Sequence, residues 1–274
     1  MCRERGNTVS FFAKILEILK YRIVTPGLFG WFHMLWISLV IIGSIALCWL
    51  HKKKAVSPSK VILVISVAVA LLELYKQIVF SFGSDLTFDF QWYAFPFQFC
   101  STPMYVGLLA GIFRKGKFHD ALCAYLATFS VFAGICVTVY PGDVFIDILG
   151  IDIQTMVCHG SMIVIGVYLY YSGHVKIQWK TLFQAIPVFA VCVGLAAVMN
   201  ECAKVSGLLE RETFNMFFIS PYCPPSLPVY STVQNLLPFP LCLLVYILAF
   251  TLAGGLVLAL AKGFSRLARR KTAV

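Results

Sequence analysis

WFHMLWISLVIIGSIALCWL, residues 31–50, runs for twenty positions without an aspartate, glutamate, lysine or arginine. About 20 apolar residues in a helix match the thickness of a bilayer's hydrocarbon core. Similar runs occupy 61–82, 96–113, 120–140, 155–171, 181–200 and 236–261, and 60% of the 274 residues are hydrophobic against 12% charged. The chain is therefore expected to be all-α, a polytopic membrane helix bundle of about seven transmembrane helices.

Ahead of the first run lies FFAKILEILKYRIV, residues 11–24. Phe12, Ile15, Leu16 and Leu19 fall on one helical face and Lys14, Glu17 and Lys20 on others. That pattern suits a helix lying in the membrane interface. A cleavable signal peptide fits less well, because charge interrupts the apolar face and no small-residue cleavage site follows closely. Three parts result: an interfacial amphipathic segment at 1–27, a seven-helix transmembrane domain at 28–261 and a basic cytoplasmic tail at 262–274.

Lysine and arginine set the orientation. With the N-terminus outside and the C-terminus inside, the inner connections hold fourteen of these residues. The outer ones hold two, Lys204 and Arg211, and five precede the first span. The positive-inside rule favours that orientation. The net charge of +10 thus reads as topology, and no motif points to nucleic acid. The long outer connection at 201–235 ends in SPYCPPSLPVYSTVQ, which its prolines are expected to keep out of helix.

Polar residues inside the spans are costly and mark candidate sites. Cys100 and His159 each fall about five residues into spans that run inward, so both are expected roughly 7 Å below the outer interface. Glu73, Lys76 and Gln77 lie in the outer half of the second span, with Glu73 and Lys76 three apart on one face. Asn200 ends the sixth span, and Asn215 follows in the long connection. The plainer alternatives are an ion pair that only locks packing and a histidine that only bonds a neighbouring helix. Among ten cysteines, Cys48, Cys123, Cys136, Cys158, Cys192 and Cys242 sit in apolar helix as small hydrophobes. Cys202 and Cys223 can pair if the outer space is oxidising. Cys100 differs in its neighbours: Gln98, Ser101 and Thr102 flank it, and Pro96 and Pro103 bracket it. With no CxxC, HExxH or histidine pair, neither a metal nor a cofactor is expected.

FPFQFC (95–100), MVCHG (156–160), LLELYKQ (71–77) and FNMFFISP (214–221) together resemble the YwaF-like family of polytopic membrane proteins, over about 30 to 260. Animal relatives are similar to membrane acyltransferases that remodel phospholipids through a cysteine and a histidine. More distant relatives hydrolyse fatty-acyl esters with a threonine in the cysteine's place. Many bacterial members carry a histidine where this chain has Gln98. The resemblance implies an enzyme of the bacterial cell membrane acting on phospholipids or lysophospholipids, by acyl transfer or hydrolysis through a Cys100 thioester with His159 as base. Glu73, Lys76, Gln77, Gln98, Asn200 and Asn215 then bind substrate or support the site, with Gln98, Asn215 and Lys76 the candidate oxyanion donors. The alternative is a small-solute or proton transporter using Glu73, Lys76 and His159. Against it, the inner halves of the spans read as nearly free of polar residues.

Overall fold

The computed structural model describes residues 2–142, 144–210, 213–224 and 227–271. Arg211 of the charge count and residues 272–274 of the expected tail lie outside them. Where a run of apolar residues is uninterrupted, the backbone closes its hydrogen bonds within the segment, as lipid requires. The result is α1 (Cys2–Leu19), α2 (Trp31–Lys52), α3 (Pro58–Ser81), α4 (Thr102–Ile112), α5 (Lys117–Ala127), α6 (Phe129–Val139), α7 (Leu149–Tyr171), α8 (Trp179–Val205), α9 (Pro228–Leu236) and α10 (Phe239–Lys271). Among the described residues six stretches are long and apolar enough to cross a membrane: α2, α3, α5 with α6 as one span, α7, α8 and α10.

The expected third span is the exception. Of 96–113 only Thr102–Ile112 is helix, about 16 Å at 1.5 Å per residue and too short to cross alone. Residues 95–101 lead into it as irregular chain. Pro103, at the second helical position, is where this helix begins and not a kink inside it. Pro103 has no N–H for the Phe99 carbonyl, and the Thr102 hydroxyl donates to that oxygen instead, at 2.8 Å. Such backbone is tolerated at membrane depth only when protein covers it. Here residues 95–100 are half-buried and Ser101 is buried.

The expected 120–140 helix is broken at Thr128, whose hydroxyl takes the Ala124 carbonyl at 2.7 Å and competes with the helix ladder. The expectation of no helix in SPYCPPSLPVYSTVQ is overturned: α9 covers Pro228–Leu236. Pro228 opens it at a position whose N–H would have no partner in any case, so the proline starts the helix rather than preventing it. The α10 helix continues from the membrane into the expected tail as far as Lys271.

In the bundle α3 packs on α4, α6 on α7, α5 on α8, and α2 on α7, with α10 against α8 and α6. Glycines allow the closest approaches. A Cβ on Gly107 would lie 2.0 Å from Ser66 Oγ, and one on Gly111 would lie 2.6 Å from Leu63 Cβ. This small-xxx-small pair sets the α4 backbone directly on α3. An aromatic cluster of Phe99, Phe129, Phe189, Phe217, Tyr246 and Phe250 ties the lead-in segment to α5–α6, α8 and α10. Through Phe99 it fixes the chain at Cys100.

The N-terminal segment docks on the end of the bundle where the 82–95 and 141–148 connections lie. Arg22 pairs with Asp147 at 2.5 Å, Ile23 N–H donates to the Asp147 carbonyl at 2.9 Å, and Lys20 donates to the Phe82 carbonyl. Leu16 of α1 is buried, whereas Phe11, Phe12 and Ile18 are exposed.

Candidate active site

On α3, Glu73, Lys76 and Gln77 are one helical turn apart and share a face. Lys76 Nζ lies 2.6 Å from Glu73 Oε2, with the side chains 17% and 8% exposed, so the pair is largely out of solvent. Glu73 Oε1 accepts a hydrogen bond from Gln154 Nε2 at 3.1 Å, and the same nitrogen lies 3.3 Å from Cys158 Sγ. Lys76 is within electrostatic reach of Cys100, Cys158 and His159 together. Cation, carboxylate, two thiols and imidazole thus fall in the same half of the bundle.

Cys100 faces a narrow cavity between α3, α4 and α7, lined also by Val69, Pro103, Met104, Cys158 and Met162. It holds about 10 Å³, room for roughly one water. Among the described residues no hydrogen bond joins Cys100 to His159. The imidazole Nδ1 is 2.7 Å from the Thr155 carbonyl, one turn back on its own helix. A carbonyl only accepts, so Nδ1 carries the proton and Nε2 keeps the lone pair. That Nε2 is buried, and among the described residues it has no hydrogen-bond partner.

The expected equal depth near helix starts needs revision. α7 begins at Leu149 and not at 155, which puts His159 about 15 Å along it. Cys100 precedes α4, and Cys158 shares its cavity because the irregular lead-in carries the chain inward before the short helix starts.

The remaining expected site residues form a second network. Gln98 donates through Nε2 to the Asn215 carbonyl at 2.8 Å and accepts from Phe217 N–H at 2.8 Å. Asn200 binds Met216 through both its amide groups, at 2.8 and 3.1 Å. Asn215 Oδ1 accepts from Ser220 N–H at 2.9 Å. These contacts clamp FNMFFISP, where Phe217 and Phe218 adopt φ of 58° and 56°, a conformation that persists only when its surroundings hold it. With both ends of its amide so engaged, Gln98 is a brace and not a free oxyanion donor. Gln77 holds the Ala94 carbonyl at 2.5 Å. Gln98 and Asn215 also line an open groove of about 450 Å³ with Tyr93, Thr213 and Phe218.

Gln154, Thr155 and Cys158 were missed in the sequence. Gln154, Cys158 and Ser161 recur at i, i+4 and i+7, a polar stripe on one face of the helix, and that spacing is the signal that finds Gln154 and Cys158; Thr155 acts through its backbone carbonyl, which no side-chain pattern marks. Cys202 and Cys223 are both free.

The other end of the bundle is not polar-free, contrary to expectation. His119 is buried with its Nδ1 3.1 Å from the Ala110 carbonyl, and its Nε2 lies 2.7 Å from His174 Nε2 and 3.5 Å from Cys123 Sγ. These three can hold a metal ion. The histidine pair absent from any short motif is made by the fold, across 55 residues. Desolvation, and after it the neighbouring His119, lowers the pKa of His174 on the turn after α7.

Residues 28–258 match the sequence model of the TMEM164 family, and the chain belongs to that family of membrane proteins. No curated protein and no solved structure matches significantly.

Proposed function

We propose that this TMEM164-family chain is an intramembrane enzyme that transfers or hydrolyses acyl groups of phospholipid esters through a thioester on Cys100, with His159 as base. The observation that carries the proposal is the state of His159: its proton is held on Nδ1 by Thr155, leaving a buried Nε2 lone pair with no partner. A satisfied structural histidine would spend both nitrogens. The resemblance of FPFQFC and MVCHG to YwaF-like proteins and phospholipid acyltransferases supports the same assignment.

In the reaction His159 Nε2 takes the Cys100 thiol proton, and the thiolate attacks the ester carbonyl carbon. The tetrahedral intermediate collapses to a thioester, and the lysolipid leaves with the proton from the imidazolium. An acceptor hydroxyl or water then gives its proton to His159 and attacks the thioester, which regenerates the thiol. Lys76, near both groups, is the remaining candidate to stabilise the oxyanion. The water-sized cavity means that an ester reaches Cys100 only by displacing flexible side chains such as Met104 and Met162.

The site lies in the half of the bundle nearer the end shared by the N-terminal segment and the 82–95 connection, with His159 about 15 Å along α7. With that end outside, as the lysine and arginine distribution favours, it meets the outer leaflet. A cysteine introduced at 147 should react with an impermeant reagent and one at 115 should not; the reverse pattern places the site at the inner leaflet.

Incubating the purified protein with acyl-labelled phospholipid should leave hydroxylamine-sensitive label on Cys100. Lipid turnover by a folded Cys100→Ala protein sinks the mechanism. Solute flux in proteoliposomes without any thioester favours a transporter built on Glu73, Lys76 and His159.

A further inference from the structure

We propose that His119, Cys123 and His174 form a metal site at the end of the bundle opposite Cys100, taking a borderline divalent cation of the zinc class through two imidazole nitrogens and one thiolate. Each residue offers one ligand atom, and the three atoms lie within 4.8 Å of one another. His119 and Cys123 stand one turn apart on α5, and His174 comes from the turn between α7 and α8. A bound ion would therefore staple three helices together.

The hydrogen-bond pattern around His119 is that of a ligand. Its Nδ1 faces the Ala110 carbonyl at 3.1 Å, which fixes the proton on Nδ1 and leaves Nε2 as a lone pair. Metal-binding histidines are oriented in this way, by a second-shell acceptor on the other nitrogen. The lone pair faces both other candidate ligands.

The distances fit as well. In a tetrahedral site with metal–nitrogen bonds of about 2.0 Å and metal–sulfur bonds of about 2.3 Å, a nitrogen and a sulfur ligand stand about 3.5 Å apart and two nitrogens about 3.3 Å apart. Cys123 Sγ and His119 Nε2 are 3.5 Å apart. His174 Nε2, at 2.7 Å, has to retreat by about 0.6 Å, a small move for an exposed side chain on a turn. Binding releases the Cys123 proton. Asp120 lies close enough to act on both Cys123 and His174, so dication, thiolate and carboxylate sum to no net charge at the membrane edge. Three protein ligands leave a fourth position for water. The imidazole and thiolate donors favour zinc-class ions over magnesium or calcium.

The test uses the full chain in detergent with Co²⁺ as the optical probe and Zn²⁺ as competitor. One equivalent of Co²⁺ should produce a thiolate-to-cobalt charge-transfer band that Zn²⁺ abolishes. Cys123→Ser should remove the band, and His174→Ala, on an exposed turn, should weaken Zn²⁺ binding by about ten-fold or more. Cys100→Ala and Cys202→Ser should keep it. The proposal is overturned by no band in the wild-type protein, by a band that depends on Cys202, or by unchanged Zn²⁺ affinity in His174→Ala. Should Cys123→Ser not fold, His174→Ala decides alone.

Discussion

The two halves of the bundle each hold a histidine whose Nδ1 is bound to a backbone carbonyl, and the two differ in what the other nitrogen meets. His159 bonds its own helix at Thr155, and its Nε2 is left without a partner. His119 bonds a different helix at Ala110, and two further donor atoms crowd its Nε2. The tautomer is the same in both. A buried lone pair that no other group engages is suited to moving a proton, and one that faces a second imidazole and a thiol is suited to ligation. The distance from His159 to the end of α7 is about 18 Å, so the ends can be perturbed separately. They also differ in charge: a Glu73–Lys76 ion pair backs His159, and among the described residues none is found at the other end's trio.

The strongest way to break this contrast is to exchange the histidine variants in a lipid-turnover assay. His159→Ala should lower turnover by about 10²-fold or more, with Cys100→Ala/His159→Ala scarcely worse because the pair acts as a unit. His174→Ala should leave most turnover intact. Loss in His174→Ala together with retention in His159→Ala inverts the assignment of the two ends.

The ion pair comes next. Glu73→Gln leaves Lys76 largely buried and unpaired and should lower unfolding stability in detergent by about 3–5 kcal/mol, whereas Glu73→Leu/Lys76→Met should recover most of that loss. An unaltered midpoint in the single variant would mean that water already reaches the pair.

A smaller effect is expected at the clamp. Asn200→Leu strips the Met216 N–H and C=O of their partner, at about 1–3 kcal/mol for each group left buried, and should speed proteolysis within 213–220. Native-like resistance would show that Gln98 and Asn215 suffice to hold the strained phenylalanines.

The smallest effect separates two glycines. A Cβ on Gly134 would lie 2.7 Å from the His159 carbonyl and 2.9 Å from Met162 Cβ, whereas nothing lies within 4 Å of one on Gly194. Gly134→Ala should cost about 1–3 kcal/mol by overpacking α6 against α7. Gly194→Ala should gain about 0.5–1 kcal/mol from helix propensity. Equal melting shifts would remove the close α6–α7 approach that seats His159.

Legibility in the sequence followed the price of polarity in lipid. Glu73, Lys76 and His159 stood out because an apolar run makes each of them conspicuous, whereas Cys100, one of ten cysteines, stood out only by its polar and proline neighbours. Gln98 and Asn200 were conspicuous as amides in or at the end of apolar spans and Asn215 by its place in FNMFFISP, but all three brace a loop: an amide's chemistry serves a backbone clamp as well as a substrate. The proline of α9 misled because a proline's effect depends on its place in the helix, which composition does not state.

The sequence by itself determined the solvent, the helical class and the approximate spans, because hydrophobic length and backbone satisfaction are local requirements. It also marked Glu73, Lys76 and His159 as costly polar residues within those spans. Only the tertiary structure decided which side of each helix those groups occupy, that the third pass is a short helix behind an irregular lead-in, and that His119, Cys123 and His174 converge across 55 residues. Helix rotation and register follow from inter-helix packing, from Gly107 and Gly111 of α4 against α3 and Gly134 of α6 against α7, and such contacts are set between segments that the linear chain keeps apart.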